Sequence, residues 1–308
     1  MSAAPLAGRL ALARSATDRV TERRTDGEWL EKSWADPSTR VLVVGDGRTL
    51  ATGSGLWLAP SAQAPAGERY LLGQDDDGTV YFAVDVGSAP EPADDGAVPA
   101  GLRELGVRLG DRDAGLLVLA VGLSNWHATH VRCPRCGAPT TVELAGFVRR
   151  CTADGTEHYP RTDPAVIMLV TDAAGESALL GSSPHWGGQR YSTLAGFVEP
   201  GESAEAAVVR EVAEESRVLV EAVTYMGSQP WPFPSSLMLG FTARARADSP
   251  EPSADGAELA DVRWFSREGL TEQIVSGDVR IPPGISIARR LVEHWYGGDL
   301  PSGPDRDW

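Results

Sequence analysis

The chain has 308 residues and carries 43 acidic against 28 basic side chains, a formal net charge of −15 at pH 7. This acidic balance argues against a general nucleic-acid binder or a protein that lies on an anionic membrane surface. No apolar run reaches the roughly 18 residues that a membrane-spanning helix needs. The N-terminus lacks a charged segment followed by an apolar one, so we expect no secretory signal. The length predicts two or more domains.

Residues 1–125 predict a β-rich N-terminal domain without a catalytic signature, because short apolar runs alternate there with polar or turn residues. The runs are Val41–Val44, Leu56–Leu58, Tyr70–Leu72 and Val80–Val84. Asp75–Gly78 has the composition of a hairpin turn. Residues 86–100 resemble a solvated loop, and the Ala- and Leu-rich segment 114–128 could form a helix.

Strand and helix patterns alternate through residues 161–300, which we treat as a third segment after residues 126–160. Val166–Val170 predicts a buried strand, and Ser203–Ser216 predicts a helix. Two further strands are expected at Leu237–Ala245 and Val262–Phe265. A closing amphipathic helix is expected at Ser286–Tyr296.

The helix at Ser203–Ser216 carries three glutamates on one face. Glu211, Glu214 and Glu215 stand at i, i+3 and i+4. Like charges at this spacing repel one another, so a bound divalent cation with oxygen ligands would explain them. Seen alone, the helix could equally be a solvated acidic face.

The residues around this helix closely resemble the Nudix box, in which a glycine loop leads into a glutamate-rich helix. The matching positions are Gly196, Glu202, Arg210-Glu211, Glu214-Glu215 and Val218. The resemblance implies a Nudix α/β/α sandwich for the catalytic domain, within an overall α+β / α/β chain. It implies that Glu211, Glu214 and Glu215 bind Mg²⁺ or Mn²⁺ and act in catalysis. Glu202 and Arg210 would support them.

One position departs from the box, because Arg217 stands where the pattern has glycine. Glycine suits a left-handed exit from a helix. An arginine in that conformation costs roughly 1 kcal/mol, or else the helix ends differently.

Three prolines alternate with two aromatic residues downstream of the helix, which predicts a stiff, extended loop suited to an aromatic ring of a substrate. A proline-rich turn packed on the core is the alternative. The segment resembles the Ser-Gln-Pro-Trp-Pro-Phe-Pro-x-Ser signature of NADH pyrophosphatases. That resemblance assigns substrate binding to nine residues, Ser228, Gln229, Pro230, Trp231, Pro232, Phe233, Pro234, Ser235 and Ser236.

The same resemblance implies roles for four residues outside the two motifs. Tyr159 and Phe197 match positions that stack on the substrate ring, although either could be a core aromatic residue. Glu258 matches a further metal-contacting glutamate, and Ala288 lies in a backbone segment that is near the substrate in the family.

The chain has three cysteines, an odd count that favours a reduced, cytoplasmic protein. Cys133 and Cys136 form a knuckle of the kind that binds zinc, and Cys151 follows. The family has a fourth cysteine where this chain has Asp154. The fourth zinc ligand could be Asp154, or His158 or His130 could replace it, or the ribbon could hold no metal. In each case its role is structural.

The resemblance implies a homodimeric enzyme that hydrolyses the P–O–P bond of NADH or NAD⁺ to AMP and a nicotinamide mononucleotide. Members of the family also remove NAD caps from RNA 5′ ends. The alternatives are another Nudix specificity such as ADP-ribose, or a Nudix-fold protein that binds without catalysis. The intact set of glutamates disfavours the last of these.

Overall fold

The computed structural model describes residues 5–6, 8–53, 55–93, 96–186 and 189–303. The contacts between Cα atoms divide the chain into two compact units. The N-terminal unit comprises Leu12–Thr162 and Pro230–Ser235, and the C-terminal unit comprises Met1–Ala11, Asp163–Gln229 and Ser236–Trp308. None of the helices in the described ranges is both long enough and apolar enough to cross a membrane.

A seven-stranded sheet forms the centre of the N-terminal unit. Its strands are Arg40–Gly45 (β1), Arg48–Thr52 (β2), Gly55–Leu56 (β3), Ala59–Pro60 (β4), Glu68–Gln74 (β5), Val80–Asp85 (β6) and Val98–Gly101 (β7). The order is β3-β2-β1-β6-β5, with β4 paired to β1 and β7 paired to β2. β1 and β6 run parallel, and their mostly buried residues are those of strands covered on both faces.

Three helices and a small second sheet complete this unit. The helices are Gly27–Ala35 (α1), Leu102–Leu105 (α2) and Asp111–Thr129 (α3), and α3 packs on β1 and β5. The second sheet is antiparallel, in the order β10-β9-β8, and consists of Thr140–Glu143 (β8), Val148–Cys151 (β9) and Glu157–His158 (β10). Cys151 ends β9 of this sheet, and Cys133 and Cys136 lie in a turn before β8.

The C-terminal unit contains a six-stranded sheet and three helices. The strands are Asp163–Thr171 (β11), Ser177–Ser182 (β12), Leu194–Phe197 (β13), Val220–Trp231 (β14), Ser236–Ala245 (β15) and Asp261–Ser266 (β16). Their order is β14-β15-β11-β12-β16, with β13 antiparallel to β11 and β15 parallel to it. The helices are Ala204–Ser216 (α4), Arg267–Ser276 (α5) and Ile287–Tyr296 (α6).

The central strand β11 shows why these elements form an α/β/α sandwich. Its alternate residues point to opposite faces of the sheet. Val166 and Met168 join a core cluster with Val208 of α4. Ile167 and Leu169 join a different cluster, which contains residues of α5 and α6. The apolar run that predicted a buried strand is therefore covered by a helix layer on each side.

Most predicted elements are confirmed, and two of them differ in detail. The predicted strand Leu56–Leu58 is wrong beyond Leu56, because the chain leaves β2 there and joins β1 from Ala59. The predicted loop 86–100 is wrong at its end, where β7 pairs with β2. Residues 94 and 95 of that loop lie outside the described residues.

The prediction of a stiff, extended loop at the NADH pyrophosphatase signature is also wrong. Strand β14 continues to Trp231, a turn spans residues 232–235, and β15 begins at Ser236. The signature is thus the tip of a β-hairpin. Neighbouring strands supply hydrogen bonds to both arms, which an isolated proline-rich loop would lack.

Arg217 ends helix α4 in the left-handed conformation that the glycine of the Nudix box would adopt. Its φ is 63° and ψ is 1°, and its backbone N–H donates to the Ala213 carbonyl. The side chain itself is exposed. The departure from the pattern therefore keeps the geometry of the helix exit and carries a steric cost between Cβ and the backbone.

We expect Arg217→Gly to raise the free energy of unfolding by about 1 kcal/mol, because glycine has no Cβ to strain this conformation. Thermal and urea unfolding of the purified proteins measure the change. Arg217→Ala is the matched control, since it removes the charge and keeps the Cβ. An equal gain from alanine would contradict the backbone explanation.

Candidate active site and metal sites

Helix α4 presents an apolar face to the sheet and a row of carboxylates away from it. The Ser203 side chain caps its N-terminus by accepting a hydrogen bond from the Ala206 N–H at 3.2 Å. Ala207, Val208 and Val212 are fully buried in the core against the sheet. Because this packing fixes the rotation of the helix, it also fixes where the glutamates point.

Two glutamates of this helix meet Glu258, which lies on the loop before β16. Glu211, Glu215 and Glu258 each offer a carboxylate oxygen within 4.8 Å of the others. Glu214 is outside this group, with a side chain that is 62% exposed and paired to Arg210 at 3.0 Å. The structure thus brings together three of the four predicted ligands. The metal-binding role of Glu214 stays a prediction.

Asp255 holds the loop that carries Glu258, and the sequence offered no signal that singled it out. Its Oδ1 accepts hydrogen bonds from the backbone N–H groups of Glu258 at 3.1 Å and Leu259 at 2.9 Å. A short side chain that binds backbone donors further along is a common way to order a turn. Here it places the Glu258 backbone beside helix α4.

The carboxylate cluster has the electrostatics of a cation site. Burial, together with the charges of Glu211 and Glu258, raises the pKa of Glu215 to about 8. Burial also raises the pKa of Glu211, against the opposing effect of Arg210. Oε2 of Glu215 is buried and has no hydrogen-bond partner among the described residues. A divalent cation would satisfy that oxygen and offset the repulsion, so the donor set fits Mg²⁺ or Mn²⁺.

Arg210 connects the glycine loop to the carboxylates. Its guanidinium donates to both carboxylate oxygens of Glu202, at 2.9 and 2.8 Å, and to Glu211 at 2.8 Å. It also donates to the Phe197 carbonyl at 3.0 Å. The Glu202 pKa is lowered chiefly by this bidentate pair. The supporting roles predicted for Glu202 and Arg210 therefore have a physical basis.

Gly196 leaves the space that the Glu211 carboxylate occupies. A Cβ built at this glycine would overlap the carboxylate carbon and both of its oxygens. Any larger residue here would have to displace Glu211 from the cluster. The glycine of the box is therefore required by the close approach of a side chain.

Two cavities border the carboxylates. One of about 590 Å³ is lined by Gly196, Phe197, Glu211, Glu258 and Met238, among others. Another of about 340 Å³ lies beside Glu215 and Glu258, with Trp186 and Thr193 in its wall. Phe197 is 60% exposed, so it is available to stack on a ligand and is not the core aromatic residue of the alternative interpretation.

The nine signature residues differ in their surroundings. Gln229 is fully buried and donates to the Ile285 carbonyl at 3.0 Å. Ser236 lines the larger cavity. Trp231 and Phe233 make an edge-to-face contact with ring centroids 5.0 Å apart. Part of the signature therefore supports the hairpin, and its direct contact with substrate stays a prediction.

Of the two other residues assigned to substrate binding, Tyr159 is exposed and Ala288 is buried. Tyr159 is 63% exposed, and its hydroxyl donates to Glu157 at 2.6 Å, so it is not a core aromatic residue. Ala288 is 1% exposed, with its side chain in the core and its N–H bonded to Ser286 Oγ. Their roles at the substrate stay predictions.

The candidate zinc site consists of two similar turns. Cys133, Cys136, Cys151 and Asp154 offer ligand atoms within 4.8 Å of one another. The backbone N–H of Gly137 binds the Cys133 carbonyl, as that of Gly155 binds the Cys151 carbonyl, and both glycines have positive φ. Asp154 therefore occupies in the second turn the place of Cys136 in the first. The 3.5 Å between the Sγ atoms of Cys136 and Cys151 suits adjacent ligands of one tetrahedral ion.

The two histidines considered as alternatives lie outside this group of four. His130 Nδ1 is bonded to the Trp126 carbonyl at 2.9 Å. Burial opposes ionisation of Cys133, but nearby backbone N–H groups and the His158 side chain lower its pKa to about 6. A site that favours thiolate fits zinc, and Asp154 is the fourth donor of the group, so its role as a zinc ligand stays a prediction.

We expect one zinc ion per chain in the wild type after dialysis against a weak chelator, and much less in Asp154→Ala, because three ligands leave the ion exposed to exchange. Asp154→Cys should retain a full equivalent. Asp76→Ala, on an exposed hairpin turn, is the matched control. Elemental analysis measures the content. Full zinc in Asp154→Ala would show that Asp154 is not a ligand.

Comparison with known protein families finds three adjoining matches. A NUDIX domain matches residues 161–283. An NADH pyrophosphatase-like rudimentary NUDIX domain matches residues 37–126, and an NADH pyrophosphatase zinc ribbon domain matches residues 128–159. The three matches together cover both units.

Similar curated proteins span nearly the whole chain. The NAD-capped RNA hydrolase NudC of Mycobacterium bovis is 39% identical over 302 residues, covering 92% of this chain and 94% of that protein. The NudC of Mycobacterium tuberculosis is 38% identical with the same coverage. Human NAD-capped RNA hydrolase NUDT12 is 32% identical over 333 residues, covering 90% of this chain and 71% of that protein. The chain therefore belongs to the NADH pyrophosphatase family of Nudix hydrolases.

Proposed function

We propose that this enzyme hydrolyses the diphosphate bond of NADH and NAD⁺ to AMP and the nicotinamide mononucleotide, and removes NAD caps from RNA 5′ ends. The observation that carries the proposal is the cluster of Glu211, Glu215 and Glu258 at the Nudix helix. Relatives named NAD-capped RNA hydrolases, at 32–39% identity, support the same substrate class.

The two cavities support a substrate with two halves. A dinucleotide has a nucleoside on each side of its diphosphate, and Glu258 lines both cavities. With the diphosphate at the carboxylates, each nucleoside would have a cavity of its own. Volumes of about 340 and 590 Å³ are within the range of sites for small organic ligands.

The chain would perform the reaction by holding cations and fixing their ligands. Glu211, Glu215 and Glu258 would hold Mg²⁺ or Mn²⁺, which neutralises the diphosphate and activates a water molecule. Arg210 orients Glu211 through its bond to Oε1. Exposed Phe197 would stack on a ring of the substrate.

On the basis of the family resemblance, we also propose that the enzyme uses Mg²⁺ or Mn²⁺, forms a homodimer and is located in the cytoplasm. Hard oxygen ligands support the choice of metal, since carboxylates bind both ions. The zinc ribbon would be structural.

Loss of a residue that only supports a metal ligand lowers activity roughly 10- to 100-fold. Glu215→Gln removes a proposed ligand itself, so it should lower kcat by more than that. Because Glu215 is buried with a raised pKa, its neutral isostere should leave the free energy of unfolding unchanged or higher. AMP release from NADH and thermal unfolding measure the two effects. Glu205→Gln, exposed in the first turn of the same helix, is the control. Near-wild-type turnover by Glu215→Gln would refute the assignment.

Uncapped RNA should inhibit NADH hydrolysis far less than NAD-capped RNA of the same sequence, because a chain with a net charge of −15 has little nonspecific attraction for phosphates. Steady-state rates with NADH, NAD⁺, ADP-ribose and NAD-capped RNA, at low and moderate salt, test substrate choice directly. Equal inhibition by capped and uncapped RNA would contradict recognition through the cap.

A further inference from the structure

A short segment near the N-terminus belongs to the C-terminal unit, although it is far from the rest of that unit in the sequence. We call residues 5–6 and 8–11 the N-terminal strap. Its two leucines, Leu6 and Leu10, are 0% and 2% exposed, as residues of a core are. The strap precedes all three family matches, of which the first along the chain begins at residue 37. Those matches therefore assign it no role.

The strap is bound to the edge strand of the six-stranded sheet. Strand β14 stands at one end of the strand order. The Leu6 N–H donates to the Met226 carbonyl of β14 at 2.9 Å, and the Arg9 N–H donates back to the Leu6 carbonyl at 3.0 Å. A Cβ built on Gly227 would lie 3.4 Å from Leu10 Cδ1 and 3.5 Å from Leu6 Cβ, so both leucines pack on this glycine. The strap thus covers part of the sheet edge.

Both leucines also complete the apolar cluster between the sheet and helix α6. This cluster joins Leu6 and Leu10 to Met226 of β14 and to Ile287 and Leu291 of α6. Protein interiors are close-packed, so the shape of one side of a cluster depends on the side chains at its other side. Removal of a leucine leaves a void into which its neighbours relax only in part.

The same cluster supports a wall of the larger active-site cavity. Ala195 and Met238 are partly buried and pack against the cluster, and both line the cavity of about 590 Å³. Helix α4 packs on the opposite face of the sheet, where Val208 belongs to a separate cluster. The strap therefore belongs to the core behind the cavity wall, and not to the core behind the helix that carries Glu211 and Glu215.

We propose that the N-terminal strap shapes the substrate-binding cavity of the C-terminal unit, with Leu6 and Leu10 as positioning residues that hold Ala195 and Met238 in place through the shared core. The inference rests on the proposed function. Because both leucines are buried, they act through the core and not by touching the substrate. The strap thus affects how well the dinucleotide is bound, and not the chemistry at the carboxylates.

Steady-state kinetics and Mn²⁺ binding of full-length Leu10→Ala and Leu6→Ala test the proposal. Each variant should raise KM for NADH about tenfold, because a small displacement of the cavity wall weakens its contacts with the substrate. The kcat should stay at the wild-type value, as should the dissociation constant of Mn²⁺, measured by electron paramagnetic resonance without substrate. Leu10→Val removes less volume and should raise KM by a smaller factor, so it serves as the test if Leu10→Ala does not fold.

Leu72→Ala is the matched control, since Leu72 is an equally buried leucine in strand β5 of the N-terminal unit. It should lower the melting temperature without raising KM. A folded strap variant with the wild-type KM would overturn the proposal. Loss of kcat and of Mn²⁺ affinity together with the rise in KM would also overturn it, since that pattern indicates general destabilisation.

Hydrogen exchange gives a readout that does not depend on turnover. Peptides that contain residues 226–229 and 237–239 should exchange faster in Leu10→Ala than in the wild type, and the peptide that contains helix α4 should not. Unchanged exchange in the first two peptides would refute the role of the strap. Wild-type protein that did not hydrolyse NADH would instead refute the proposed function.

Discussion

The burial of like charges at one end of helix α4 is the constraint on which the rest of the site depends. Residues 196–218 and 248–262 together account for nine of the 15 excess negative charges of the chain. Glu211 and Glu215 are 8% and 5% exposed, so water screens their repulsion poorly. Folding can bring the two carboxylates together because the opposite, apolar face of helix α4 is packed on the sheet. A bound cation would then offset the repulsion between the carboxylates.

The neighbouring residues make this concentration of charge tolerable without removing it. Arg210 neutralises one oxygen of Glu211 and is itself fixed by the Glu202 pair. Oε2 of Glu215 has no hydrogen-bond partner, from Arg210 or from any other residue in the described part of the chain. If Arg210 satisfied both glutamates, little electrostatic gain would remain for a cation. The arrangement instead leaves a deficit of positive charge at the point where a diphosphate must be bound.

Local pattern was enough to predict the parts of the molecule that depend on nearby residues. The spacing of Glu211, Glu214 and Glu215 and the apolar run of β11 both follow from helix and strand periodicity. The separation of Glu214 from the cluster could not be predicted, since it depends on where the loop that carries Glu258 lies beside the helix. Asn125 donates to the Pro232 carbonyl and Arg103 lies over the Phe233 ring, but no signal in the sequence indicated either contact, because the partners are more than a hundred residues apart. The hairpin at the signature was missed because prolines usually disfavour strands.

The candidate zinc site has Asp154 as its fourth oxygen or sulfur donor beside three cysteines. Three thiolates and a carboxylate carry the same total charge around Zn²⁺ as four thiolates. The hydrogen bond from the Thr156 N–H is the largest of the contributions that lower the pKa of Asp154 to about 2, so this carboxylate is ionised without a metal. The turn at Asp154 has the same form as the turn at Cys136, since Gly155 repeats the geometry of Gly137. As a zinc ligand, Asp154 would therefore supply a hard oxygen in place of a soft sulfur, with the same charge around the ion.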